Sequence, residues 1–137
     1  HDRGCCPIHD ELSAESVLIC KAEHPDAEVL VHPECNQDVC ALADFLGSTA
    51  QILERCKTSE KNEFIICTEV GITDRMELLI PDKRFFVPNR KQLYCDSMKA
   101  ITLNMIIDTL ENMSGEVIVS EEIRSNAMRP IERMLKI

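Results

Sequence analysis

The chain has 137 residues, 45% hydrophobic and 28% charged, the balance of a folded globular protein with room for one ordinary domain or a small domain plus an appendage. Its 24 acidic against 15 basic side chains give a net charge of -9, which argues against a nucleic-acid surface but leaves room for an anionic metabolite held by backbone donors. The longest apolar run, 39–43, is far too short to cross a membrane, and 1–11 has neither the basic start nor the apolar stretch of a signal peptide.

The spacing predicts a helix over 13–23 with Ser13 as N-cap and Val17 and Cys20 at helical intervals, stopped by His24-Pro25-Asp26. A short strand follows over 28–32. Pro33 ends it, and Asn36 caps a second helix carrying Val39, Leu42, Ala43 and Leu46. Gly47-Ser48-Thr49 breaks and restarts the chain, with Ser48 capping a helix to about 56. Residues 63–67 form the clearest strand, nearly all apolar, as expected where both sheet faces are covered. A helix over 74–79, a strand over 84–87, a long helix over 97–112 with Met98, Ile101, Met105, Ile106 and Leu110 as its stripe, and a strand over 116–119 complete the pattern. Ser120 caps a last helix, in which Pro130 permits a kink. Strands alternating with helices imply an α/β fold with a parallel sheet, whose ligands bind beyond the carboxyl ends of the strands. No glycine-rich dinucleotide or phosphate loop is present, with only 4 glycines in the chain.

The eight cysteines stand at 5, 6, 20, 35, 40, 56, 67 and 95, without a C-x-x-C pair. With no secretion signal they suggest a reducing, cytoplasmic setting and the roles of metal ligand, catalytic thiol or core residue. Cys5-Cys6-Pro7-Ile8-His9 offers two thiols and an imidazole, either as ligands or as a buried pair. His32 and Glu34, two apart in an extended segment, address one side, for acid–base work or simply for solvent. Ser48 and Thr49 at a helix start make an anion cradle or an ordinary cap. Cys95 is read as opening the long helix, where a thiolate is stabilised. Met98, Cys20, Cys40, Cys56 and Cys67 are read as core, and His24 as exposed.

In order, these segments resemble the quinolinate synthase family. Gly4-Cys5-Cys6-Pro7-Ile8-His9 is similar to its G-x-C-x-x-H segment, and His24-Pro25-Asp26-Ala27 with 29–35 (Val-Leu-Val-His-Pro-Glu-Cys) to its hPdA-x-vLvHPE stretch. Ala43-Asp44 through Gly47-Ser48-Thr49 matches AD-x-x-GST, 64–71 matches FIIgTE-x-G, 95–103 matches C-x-x-M-k-x-iTL, and Arg133-Met134-Leu135 matches a closing RML. Two departures are an extra thiol at Cys5 and Cys67 in place of a glycine.

The resemblance implies three similar three-layer α/β/α sandwich domains around a pseudo-threefold axis, each giving one cysteine to a [4Fe–4S] cluster. About the last third to half of such an enzyme is expected here. The third domain would occupy 1–94, and a helix-strand-helix segment, 95–137, would pack on a first domain absent from this chain. Cys6 and Cys95 would be two of three cluster ligands, and His9, His32 and Glu34 would serve proton transfer and substrate orientation. Ser48 and Thr49 would hold a carboxylate or phosphate. The implied reaction, that of a transferase, condenses iminoaspartate with dihydroxyacetone phosphate to quinolinate for NAD synthesis, with iminoaspartate supplied by L-aspartate oxidase or aspartate dehydrogenase. The chain alone is expected to be inactive and to lack the cluster, with Cys6 and Cys95 near one exposed edge. The competing readings are a small zinc-binding module using Cys5, Cys6, His9 and Cys35, and a non-catalytic α/β scaffold.

Overall fold

A computed structural model describes residues 4–137, so the first three residues of the 1–11 stretch lie outside the described residues. The chain divides into two compact units, one ending at Met98 and the other Lys99–Ile137.

The first unit runs α1 (Pro7–Asp10), α2 (Ala14–Glu23), β1 (Glu28–Val31), α3 (Gln37–Cys40), β2 (Phe45–Leu46), α4 (Thr49–Thr58), β3 (Glu63–Cys67), α5 (Val70–Leu79) and β4 (Arg84–Phe86). The strands form one sheet in the order β2-β1-β3-β4, and every pairing is parallel. Parallel neighbours need a crossover, and here helices supply it on both faces. Side chains alternate along the strands, so Val29, Val31, Ile65 and Cys67 pack with Val17, Cys20 and Val39 on one face. Leu30, Phe64 and Ile66 pack with Ile52, Cys56 and Met76 on the other. This is the three-layer α/β arrangement expected from the alternation, with Phe64, Ile65 and Ile66 wholly buried at its centre. Burying each such side chain stabilises the fold by about 1.5–3 kcal/mol.

Local chemistry sets the helix starts. The side chains of Ser13 and Asn36 accept from the backbone N–H groups of Ser16 and Val39. Ser48 and Gln51 form a full capping box at α4. Gly47 is required for steric reasons: a Cβ there would come within 2.7 Å of the Phe45 ring and 2.9 Å of Gln51 Cβ. At the amino ends of the strands, buried Glu28 is held by Arg55 Nε at 2.7 Å and by the Ser59 hydroxyl at 3.0 Å.

Several boundaries differ from the sequence-based expectation. Leu46 belongs to β2, not to a helix stripe, and gives that strand its pairing with Val31. Helix α5 begins at Val70, four residues early, because the Glu69 carboxylate accepts from Gly71 N and caps it. His24, expected to be exposed, is half-buried with its ring stacked on Phe86 at 3.4 Å.

The second unit holds α6 (Leu103–Asn112) and α7 (Glu121–Met134). Helix α6 starts at its Thr102 cap, not at 97, and Met98 is 68% exposed. Residues 114–120 have no regular structure, so the strand expected over 116–119 is absent among the described residues. Helix α7 is continuous through Pro130. No helix among the described residues is long and apolar enough to cross a membrane.

Candidate functional site

The strand order makes β1 the turning point of the sheet: the chain goes from β1 outward to β2, then returns to the opposite side as β3. In open parallel sheets the crevice for a ligand opens at such a switch, beyond the carboxyl ends of the strands. His32 follows β1 and Thr68 follows β3, so both rise at that crevice.

Helix α1 brings the third group. Its single turn is closed by Cys6 O, which accepts from His9 N at 3.1 Å and Asp10 N at 2.9 Å. That turn puts Cys6 and His9, three residues apart, on one side. The Asn36 amide holds the turn in place by donating to Asp10 O and Leu12 O at 2.9 and 2.6 Å. His9 is buried, with Nδ1 3.1 Å from Glu34 Oε2 and Nε2 2.9 Å from the Thr68 hydroxyl. An ionised carboxylate only accepts, so Nδ1 carries the proton and Nε2 accepts from Thr68. The His32 ring lies face to face with His9, 4.3 Å away and tilted by 6°. Glu34 N–H donates to His32 Nδ1 at 3.3 Å, which leaves the His32 proton on Nε2. Burial first, and then the facing His32, push the His9 imidazolium below its usual pKa of 6.5, against the opposing hydrogen bond to Glu34. Glu34 itself is more than half exposed. An open cavity of about 580 Å³ lies against it, lined by Gly4, Cys5, Cys6, Asp10 and Glu34.

Cys95 reaches the same edge by another route. Val70 N donates to Leu93 O at 2.9 Å, and Cys95 N donates to Glu69 Oε1 at 3.3 Å. Glu69 is the neighbour of Thr68, so the Cys95 loop is moored beside the residue that holds His9. Cys95 does not open a helix, as the sequence suggested; a turn over 96–99 follows it, and α6 begins at Leu103. Ser48 and Thr49 are exposed at the start of α4, past the end of β2. The β1–β2 register sets that end beside the one from which His32 rises. The Ser48 hydroxyl is already used as a cap, accepting from Gln51 N at 3.4 Å.

The structure thus gathers His9, His32 and Glu34 by direct contact, places the Cys6 sulfur within 4.8 Å of donor atoms of His9 and Glu34, and ties the Cys95 main chain to Glu69. Two buried residues, Thr68 and Glu69, have no role that the sequence alone assigns. Their only signal is position, polar residues directly after an apolar strand within the FIIgTE-like segment.

The thiols separate by burial. Desolvation holds Cys35 and Cys56 protonated, with pKa values pushed up to about 12, and pushes Cys67 up as well. Cys67 and Cys56 are wholly buried, Cys20 nearly so and Cys40 half-buried against the core, which accords with their reading as core. Cys6 and Cys95, both half-buried, remain at the carboxyl edge of the sheet. Of these two thiols Cys6 borders the open cavity, and a pair of accessible thiols is chemistry that fits part of an iron–sulfur cluster site.

Fold and edge together define a parallel α/β domain whose ligand crevice combines imidazoles, a carboxylate and thiols. The chain belongs to the quinolinate synthetase A protein family, whose model matches residues 1–136. It is 44% identical over 132 residues to a quinolinate synthase of Desulforudis audaxviator, covering 96% of this chain and 43% of that protein. It is 40% identical over 139 residues to quinolinate synthases of Sulfurihydrogenibium sp. and Aquifex aeolicus, covering 98% of this chain and 45% and 43% of those proteins. The chain therefore spans less than half the length of these curated relatives.

Proposed function

We propose that this chain supplies the cluster-binding and substrate-binding C-terminal portion of a quinolinate synthase, which condenses iminoaspartate with dihydroxyacetone phosphate during NAD synthesis. One observation carries the reading: His9, His32 and Glu34 converge beside Cys6 at the sheet's switch point. Names of the relatives support the same reaction. A [4Fe–4S] cluster, when bound, supplies a Lewis acid at an iron without a protein ligand. Cys6 and Cys95 would hold it, with the remaining thiolate coming from outside this chain.

The chain's own residues then divide the proton work. Condensation needs a proton taken from carbon beside a carbonyl, a task for a carboxylate within hydrogen-bond reach. Glu34 has that access, being exposed on one side while its Oε2 is fixed by His9. His32 keeps its proton on Nε2 and gives it to a departing hydroxyl. His9, with both ring nitrogens engaged, orients Glu34. Ser48 and Thr49 hold a carboxylate or phosphate at the start of α4, where the helix dipole favours an anion. Iminoaspartate comes from L-aspartate oxidase or aspartate dehydrogenase in the same reading. The 137-residue chain alone turns over no substrate, and the apolar surface of Lys99–Ile137 is covered by the rest of the protein.

The test uses the full-length protein that contains this chain, reconstituted anaerobically with iron and sulfide. Glu34→Gln lowers quinolinate formation by roughly 100-fold or more while the cluster's visible absorbance persists. A wild-type rate in that variant removes Glu34 from the chemistry. A cluster-loaded wild-type protein that makes no quinolinate ends the reading.

A further inference from the structure

A carboxylate that takes a proton from carbon must be aimed, yet the Glu34 side chain is 57% exposed and sits in the turn after Pro33. Side chains this open to solvent usually sample several rotamers. What steadies this one is His9, whose Nδ1 lies 3.1 Å from Oε2. The anchor is only as good as its own fixing. The stack on His32, at 4.3 Å and 6°, holds the plane of the His9 ring but leaves it free to turn within that plane. The Thr68 hydroxyl, 2.9 Å from Nε2, stops that turning. We propose that Thr68 is a positioning residue for the condensation: through His9 it aims the Glu34 carboxylate at the substrate carbon. The proposal rests on the reading of Glu34 as the base.

Thr68 is suited to be the fixed end of this line. It is wholly buried and directly follows β3, which pairs with β1 up to Val31 and Cys67. His32 N then donates to Cys67 O at 3.2 Å, so the pairing continues to the edge of the site. A β-branched side chain has few χ1 choices, and burial narrows them further. The line therefore runs from a rigid strand end, through a buried ring, to an exposed carboxylate.

The hydroxyl also completes the hydrogen bonding of the ring. With Glu34 ionised, Nδ1 holds the hydrogen and Nε2 presents a lone pair, to which the Thr68 O–H donates. Valine has the same shape and no hydroxyl. In its place Nε2 becomes a buried acceptor without a donor, a state that folded proteins avoid. The ring then turns toward solvent in the open cavity beside Cys6 and Glu34, and Glu34 loses its mooring.

The test is a cycle of variants in the full-length protein that contains this chain, reconstituted anaerobically with iron and sulfide. Thr68→Val is expected to lower kcat by about 10- to 100-fold with KM near its wild-type value, as a misaimed catalytic group does. Thr68→Ala, which cannot crowd the site, gives the same loss, and Thr68→Ser, which keeps the hydroxyl, recovers most of the rate. In the Glu34→Gln background Thr68→Val brings no further loss, because a residue acting only through Glu34 has nothing left to aim. Diethyl pyrocarbonate gives a reading free of turnover. In Thr68→Val the released His9 ring is carbethoxylated faster, while His24, stacked on Phe86, keeps its wild-type rate and reports an intact fold. A wild-type kcat in Thr68→Val, equal losses in Thr68→Val and Thr68→Ser, or a loss that multiplies with that of Glu34→Gln overturns the proposal and leaves the proposed function standing. A wild-type rate in Glu34→Gln removes Glu34 as the base and takes the proposal with it.

Discussion

The two units bury their apolar residues very differently. Up to Met98, every strand of the sheet contributes to a packed layer, β2 through Phe45, and Phe64, Ile65, Ile66, Leu30 and Ile52 are wholly hidden. From Lys99 onward no described residue is buried, and Ile107, Val117, Ile118 and Ile123 are each at least half exposed. Yet α6 and α7 are as clearly amphipathic as any helix of the first unit. Periodicity creates an apolar face, and only a partner makes it a core. Native monomers rarely leave so many large apolar side chains of one segment open to solvent.

The contrast predicts unequal mutational costs. Phe64→Ala, wholly buried in β3 and beside Phe85 at 5.8 Å, is expected to cost about 3–5 kcal/mol in chemical denaturation. Ile107→Ala in α6 is expected to stay within about 0.5 kcal/mol. Equal costs would break the comparison, since they require a core in the second unit. Gly47→Ala comes next, at about 1–3 kcal/mol, because its new methyl group meets the Phe45 ring and Gln51. Ser48→Ala is smaller, about 1 kcal/mol, from loss of the α4 cap.

Alkaline pH sharpens the same contrast. Burial raises the Cys56 thiol from 9.0 to about 12 in the folded chain, while the unfolded chain ionises near 9. Stability from this group is complete below pH 9 and is lost as pH climbs toward 12, because the unfolded state releases its proton first. The denaturation midpoint of the first unit should therefore fall across that window. In Cys56→Ala the fall should be shallower, whatever the variant's stability at neutral pH.

How far the sequence could be read follows the same division. Caps at Ser13, Asn36, Ser48 and Ser120 were legible, because each depends on a side chain three residues from the amide it satisfies. Strand 63–67 was legible because an apolar run of that length fits a sheet covered on both sides. Strand β2 was not, since a two-residue strand has no period and Leu46 fitted a helical stripe equally well. The stretch 116–119, with its β-branched run at 117–119, looked like a strand, but a strand exists only by pairing, and no partner for it lies among the described residues. At the site, His9, His32 and Glu34 stood out as reactive residue types in a recognisable order. Thr68 and Glu69 did not, because what they do depends on residues 59 and 26 positions away.

The carboxylate of Glu69 couples two segments of the chain. One oxygen caps α5 through Gly71 N, and the other receives the Cys95 main chain. Swinging that sulfur outward would therefore fray the first turn of a helix packed on the sheet. The thiol sits on a tether whose stiffness is borrowed from secondary structure, and Glu69→Gln should loosen both ends together, seen as faster alkylation of Cys95 alongside faster amide exchange at the start of α5.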